Sequence, residues 1–215
     1  MPDESLVHVP IDSIMLDGNL LVPSGATGVV LFAHGSGSSR FSSRNRHVAS
    51  MLRAANLGTL LIDLLTGREE QRDNVTGELR FNIGMLAERL VGTVDWLRAQ
   101  PALSRMNIGL FGASTGGGAA LVAAAERPTM IHAVVSRGGR PDLAGAALPR
   151  VQAPTLLIVG GDDVPVIALN REAYDQLRCR RRLKIVPDAT HLFEEPGALD
   201  QVAELAREWF TRYLG

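Results

Sequence analysis

The sequence predicts an α/β fold built on a mainly parallel sheet with helices on both faces. Short β-like runs alternate along the chain with segments of helical period, the pattern of parallel strands joined by crossover helices. Several of these runs are apolar almost throughout, as strands covered on both faces are. The start reads differently, as an antiparallel hairpin. There "VHVPIDSIML" and "NLLVP" flank Asp17-Gly18, a strong two-residue turn signal.

Six further strand-like runs follow the hairpin. They are "GVVLFAH" (Gly28 to His34), "GTLLIDL" (Gly58 to Leu64), "MNIGLFG" (Met106 to Gly112), "IHAVVSR" (Ile131 to Arg137), "PTLLIVGG" (Pro154 to Gly161) and "RLKIVPD" (Arg182 to Asp188). Helical segments fill the gaps. "RNRHVASMLRAAN" carries Val48, Met51, Leu52 and Ala55 on one face, and Ile83, Leu86, Leu90, Val94 and Leu97 keep helical spacing until Gln100-Pro101. The last helix presents Leu199, Val202, Ala206, Trp209, Phe210 and Tyr213 on one stripe, so its aromatics read as core. "TGREEQRDNVTGELR" (Thr66 to Arg80) is polar throughout and is expected to be a long loop, functional or mobile.

At 215 residues and 46% hydrophobic, the chain 1–215 is expected to form one domain with a substantial core. A net charge of -1 gives no basis for a general nucleic-acid or membrane-surface role. No stretch approaches the ~20 apolar residues of a membrane helix, and "MPDESLVHVP" does not read as a secretory signal. A soluble, cytoplasmic protein is expected. Cys179 is the single cysteine, so no internal disulfide forms, and no Cys/His cluster has zinc spacing. No metal or cofactor is expected.

The chemistry centres on "LFGASTGGGAA". Ser114 lies between a strand-like run and an Ala-rich helix, inside Gly112-Ala113-Ser114-Thr115-Gly116, the G-x-S-x-G pattern of a nucleophile elbow. Such a serine needs a strained backbone, and small residues at Gly112, Gly116 and Gly117 relieve the crowding across the turn. The helix N-terminus directs amides and positive dipole at the reaction site. The alternative for the pentapeptide alone is a Gly-rich turn of structural or nucleotide-binding type.

A serine hydroxyl needs a base, and histidine is the usual one near neutral pH. His8, His47 and His132 fall in the hairpin, a helix and a strand start, where packing or surface roles are expected. His191, in the loop "VPDATHLFEEPG" between the last strand and the last helix, is positioned to reach the elbow. The orienting carboxylate comes from "LLIVGGDDVPV", where spacing from Gly160 favours Asp163 over Asp162. Asp63, at the end of an earlier strand, reads as structural. Oxyanion donors are expected from the Thr115 amide and from the loop "FAHGSGSSR", chiefly the Ser36 amide. His34 is expected to hold that loop by hydrogen bonds. Arg40 and Arg137 are candidates for binding a substrate carboxylate or phosphate, with salt bridges and solvated surface the favoured alternative.

"HGSGSS", "GLFGASTGGGAAL", "LLIVGGDD" and "ATHLFEEPGAL" together resemble an α/β-hydrolase of the dienelactone-hydrolase-like group, over nearly the whole length. "SRGGRPDL" and "APTLLIVGG" also resemble hydrolase domains that occur fused to phosphoribosyltransferases, here expected to stand alone. The resemblance implies the α/β-hydrolase fold, a Ser114–Asp163–His191 triad, a metal-free mechanism and an open site with minimal or no cap. Only the short stretch "DLAGAALPRV" separates the sixth strand from the seventh, which leaves no room for a large lid. One departure stands out. Dienelactone hydrolases proper carry a cysteine nucleophile, and this chain has Ser114, with Cys179 far away in "LRCRRR". That favours small carboxylic esters as substrates. A thioesterase or lactone hydrolase uses the same triad, and a non-catalytic binding scaffold is the rival outside enzymology.

Overall fold

The apolar runs become strands because both of their faces find cover. In this computed structural model, which describes residues 4–215, the strands are β1 (Ser5–Ile11), β2 (Ile14–Leu21), β3 (Gly28–Ala33), β4 (Gly58–Ile62), β5 (Asn107–Ala113), β6 (Ile131–Arg137), β7 (Thr155–Gly160) and β8 (Arg181–Val186). They form one sheet in the order β1-β2-β4-β3-β5-β6-β7-β8. From β4 across to β8 all neighbours are parallel, whereas β1 and β2 add an antiparallel hairpin at the β4 edge. Strands β3, β4 and β7 are buried at every position, which is why their sequences do not alternate.

Six helices cover the sheet: α1 (Ser43–Ala54), α2 (Gly67–Thr76), α3 (Ile83–Ala99), α4 (Thr115–Glu126), α5 (Val164–Gln176) and α6 (Ala198–Leu214). One core layer packs Val29, Leu31, Leu110 and Val134 of the sheet against Leu90 and Val94 of α3 and the alanines of α4. The opposite layer packs Val30, Phe32, Phe111 and Val135 against Leu52 of α1 and Phe210 of α6. Alternate residues of one strand thus feed two separate cores, as the period of a strand requires. Between β6 and β7 runs only a 3₁₀ segment, Pro141–Arg150, kinked at Gly145. Among the described residues, no cap domain stands over the sheet.

Two expectations need correction. The hairpin does not turn at Asp17-Gly18. It turns at Asp12-Ser13, with Asp12 at φ 50° and Ile11 paired with Ile14. Asp17-Gly18 lies inside β2, where Gly18 pairs with both Val7 and Ile62. Its missing side chain makes room for Leu60, whose Cδ1 would stand 2.9 Å from a Cβ there. Asp12 tolerates a positive φ as well as Asp-Gly does, and the apolar register of Val9 and Leu16 chose between them.

The polar stretch from Thr66 to Arg80 is not a long loop. It contains α2 and a short 3₁₀ turn at Leu79–Phe81. Thr66 and Glu69 form a reciprocal capping box, with the Glu69 amide donating to Thr66 Oγ1 at 3.3 Å and the Thr66 amide to Glu69 Oε2 at 2.8 Å. Gly77, at φ 68°, ends the helix. The same Glu69 carboxylate takes two hydrogen bonds from buried Arg89 of α3, at 2.6 and 2.7 Å. Arg89 also donates to Leu64 O at 2.8 Å, so one guanidinium ties α2, α3 and the end of β4 together. Helix α2 exists through capping and ion pairs. It has no apolar stripe, and hydrophobic periodicity therefore passes over it.

The Arg89 hydrogen bonds, with those from Thr66, hold the Glu69 carboxyl down to about 2 against the opposing effect of burial. A depressed folded value gives stability that is present above the unfolded carboxyl range and is lost as pH falls. Glu69→Gln is therefore expected to destabilise the protein by about 1–3 kcal/mol at neutral pH. In urea melts, the gap between the two proteins should shrink steadily between about pH 4.5 and pH 2.

Candidate functional site

Ser114 sits where β5 reverses into α4, at φ 51° and ψ −123°. A non-glycine residue holds this backbone only when its surroundings enforce it. Three hydrogen bonds do so. The Ser114 amide donates to Arg137 O at 3.2 Å, and its carbonyl accepts from the amides of Gly117 and Arg140, each at 3.0 Å. The glycines around it are required by space: a Cβ on Gly112 would lie 2.4 Å from Gly116 O, and one on Gly116 would lie 2.4 Å from Ala33 O.

His191 and Asp163 arrive from the far side of the sheet. Asp163 follows β7, and its Oδ2 accepts a hydrogen bond from His191 Nδ1 at 2.6 Å. With Nδ1 carrying the proton, Nε2 is left as the basic nitrogen. Asp162 does not share this role, since it is exposed and anchors through its amide to Ala189 O at 3.0 Å. His191 rests over Gly138, where an added Cβ would lie 3.6 Å from its Cε1. Gly138 directly follows the residue that accepts the Ser114 amide, so Ser114 and His191 converge on the end of β6.

The loop after β3 closes the other side. A Cβ on Gly35 would lie 2.9 Å from Ser114 Cβ, and the hydroxyls of Ser36 and Thr115 are hydrogen-bonded at 3.2 Å. Among the described residues, neither the Ser36 nor the Thr115 amide donates to a protein acceptor. His34 braces this loop: Nδ1 donates to Gly35 O and Nε2 accepts the Leu64 amide, both at 3.0 Å. Burial pushes its basicity down, which suits a neutral ring making both bonds.

The two arginines are not brought to the serine in the same way. Arg40 is committed to Asp63 through both its amide and its guanidinium, and its Nε donates to Asn19 Oδ1 at 2.9 Å. Arg137 is buried, at 5% exposure, on the α1 and α6 side of β6. Its Nη2 donates to Asn45 Oδ1 at 3.2 Å and its guanidinium lies 5.8 Å from the Phe193 ring centre. Among the described residues it has no carboxylate partner. Burial and the neighbouring charge of Arg44 lower it to about 10, so it stays cationic at neutral pH.

Of the other histidines, His8 pairs with Asp17 and His47 with Asp200, each at 2.8 Å, while His132 accepts the Ile108 amide. Cys179 is half-buried beside Thr155 and raised by that burial. Two features were not anticipated from sequence. The turn Gly138-Gly139 carries His191 and is held by buried Asn170, which donates to Gly139 O at 3.0 Å. A cleft also opens between the Ser36 loop and α2. The paired glycines after β6 were the available signal for the first, and the charged run from Thr66 for the second.

A model of the dienelactone hydrolase family matches residues 17–214. The chain belongs to the dienelactone hydrolase family. The crystal structure of a dienelactone hydrolase from Anabaena variabilis ATCC 29413 is 64% identical, covers 100% of this chain and 99% of its own, and superposes with a TM-score of 0.98. An esterase of Pyrococcus furiosus, 18% identical over 100% of this chain and 92% of its own, shares the α/β-hydrolase fold at a TM-score of 0.81. Two putative phosphoribosyl transferases of Mycobacterium tuberculosis, from strains CDC 1551 / Oshkosh and ATCC 25618 / H37Rv, are each 54% identical over 209 residues. That match takes in 97% of this chain and 46% of theirs, so the chain spans about half the length of these relatives. Hydrolase is the activity class that dienelactone hydrolase membership carries. Among the described residues, no helix is long and apolar enough to cross a membrane, and no group of three or more His, Cys, Asp or Glu side chains is arranged around a metal position.

The strain at Ser114 has a measurable counterpart. Ser114→Gly removes the side chain that makes φ 51° costly and is expected to raise unfolding free energy by about 1 kcal/mol or more in denaturant titration. A serine comfortable in this conformation would show no gain, or a loss.

Proposed function

We propose that the protein is a serine hydrolase that cleaves small carboxylic esters through an acyl-enzyme, with Ser114 as nucleophile, His191 as base and Asp163 as its orienting carboxylate. The observation that carries this reading is the 2.6 Å hydrogen bond from His191 Nδ1 to Asp163, which leaves Nε2 as the basic nitrogen of a ring packed beside Gly138, the residue after the one that accepts the Ser114 amide. Ser114 Oγ attacks the carbonyl carbon as His191 Nε2 takes its proton. The carbonyl π electrons move to oxygen, and the amides of Ser36 and Thr115 receive the resulting oxyanion. Collapse expels the alkoxide, which takes the proton from His191. Water then repeats the sequence on the acyl-enzyme and returns the serine.

The absence of a cap and the short segment between β6 and β7 suit small, freely diffusing esters over long lipids. Arg40 is assigned no substrate contact because Asp63 occupies it, and Arg137 none because it is buried. A second reading is favoured by the dienelactone hydrolase family itself: a lactone is a cyclic ester, and the same steps open it without releasing a leaving group. Against the transferase relatives, we assign this chain hydrolytic chemistry alone.

A fluorophosphonate provides the test. Mass spectrometry is expected to find one adduct, on Ser114, absent from Ser114→Ala and strongly reduced in His191→Ala. Ser114→Ala should lower turnover of p-nitrophenyl acetate by about 10⁴- to 10⁶-fold. A well-folded wild type that forms no adduct and turns over no ester would overturn the assignment.

A further inference from the structure

The cleft beside α2 has a definite place relative to the reaction. It lies over β3 and β4, walled by the loop from His34 to Ser39, by Asp63 and Leu64 after β4, and by α2. His191 lies on the opposite side of Ser114, over the end of β6. Ser36 and Thr115, the proposed oxyanion donors, form the inner wall of the cleft. A leaving-group oxygen must lie within hydrogen-bond reach of His191 to take its proton. A group extending past the oxyanion amides in the other direction therefore belongs to the acyl half of the substrate.

The chemistry of the walls narrows that group further. The cleft holds three carboxylates, Asp63, Glu70 and Asp73, and one guanidinium, Arg80. Asp63 is neutralised by Arg40, and Asp73 by Arg80, whose Nε donates to it at 2.6 Å. Glu70 remains: among the described residues it makes no ion pair, so the cleft carries one net negative charge. Glu70 is exposed on the α2 side of the cleft, where a carboxylate on the acyl group would meet its like charge at the rim. The remaining polar walls include the Ser38 hydroxyl and the Asn74 amide, each able to donate and accept, above an apolar floor at Leu64 and Leu86. Among the described residues Arg80 Nη1 makes no hydrogen bond to the protein, and its two N–H groups are donors near Gly37.

We infer that this cleft is an acyl-group subsite selective for neutral, hydroxyl-bearing acyl groups and unfavourable to acyl groups carrying a carboxylate. The inference rests on the serine-hydrolase reading above, and it names the substrate class of that same site. A hydroxyl fits because it accepts from Arg80 or Asn74 while donating to Glu70 or Ser38. An alkyl group makes none of these hydrogen bonds, and a carboxylate faces Glu70.

The test compares methyl esters of glycerate, butyrate and hemi-succinate. The hydroxylated ester is expected to exceed butyrate in kcat/KM by about tenfold, mainly through KM, with the succinate ester lowest. Glu70→Gln should narrow the gap between hemi-succinate and butyrate, and Asn74→Leu should reduce the preference for glycerate over butyrate. Binding of the same three esters to Ser114→Ala, followed by NMR titration, is expected to keep this order with cross-peak shifts at Ser38 and Asn74. Equal or tighter binding of the succinate ester, or ratios unmoved in both variants, overturns the subsite. Fluorophosphonate labelling of Ser114 separates this failure from that of the reading beneath it, since labelled enzyme with the wrong order sinks only the subsite.

Discussion

The close approach of three backbones at the top of the sheet sets the conditions for the rest. The end of β5, the loop after β3 and the first turn of α4 come so near one another that Gly116 has no space for a methyl group against Ala33 O. From that contact follows the positive φ of Ser114, because the chain must reverse from strand to helix within one residue. It also brings the Ser36 loop against Ser114. The order of strands then places β7 and β8 so that Asp163 and His191 return over the end of β6. The sheet supplies positions, and the short loops at its C-terminal edge supply side chains.

Buried charge is handled in two ways. Arg89 and Arg80 are each matched by a carboxylate, and the pairs fasten α2 to α3 and to the turn that follows it. Arg137 is buried at the end of β6 with an asparagine and an aromatic ring as company. Burying an ion without a counter-ion costs several kcal/mol, so the well-packed cores on either side of the sheet must offset it. One core runs from the edge hairpin to α5 and the other lies between the sheet and α1 and α6.

How much of this was legible depended on which physical signal each part leaves in the chain. The central strands were legible because burial on both faces writes an unbroken apolar run, as in Val29 to Ala33. The sharp turn at Ser114 was legible because such a turn demands small neighbours, and the place of His191 because it falls between the last strand and the last helix. The hairpin turn was misread because Asp12-Ser13 and Asp17-Gly18 both suit a tight reversal, and the register that buries Val9 opposite Leu16 distinguishes them. Helix α2 was misread because its signal is a cap, Thr66 with Glu69, and a partner twenty residues away in Arg89. The cleft was invisible for the same reason: it exists only once α2 is folded against the Ser36 loop.

The way α2 is attached has an evolutionary consequence. Its hold on the molecule is a capping box, two ion pairs and a glycine stop, with few apolar side chains committed to either core. Residues on its outer and cleft-facing sides can therefore be exchanged without repacking the sheet, so long as Thr66, Glu69 and Arg89 are kept. On the function proposed above, a scaffold arranged this way separates the part that performs the reaction from the part that chooses what is reacted, and lets the second drift while the first stays fixed.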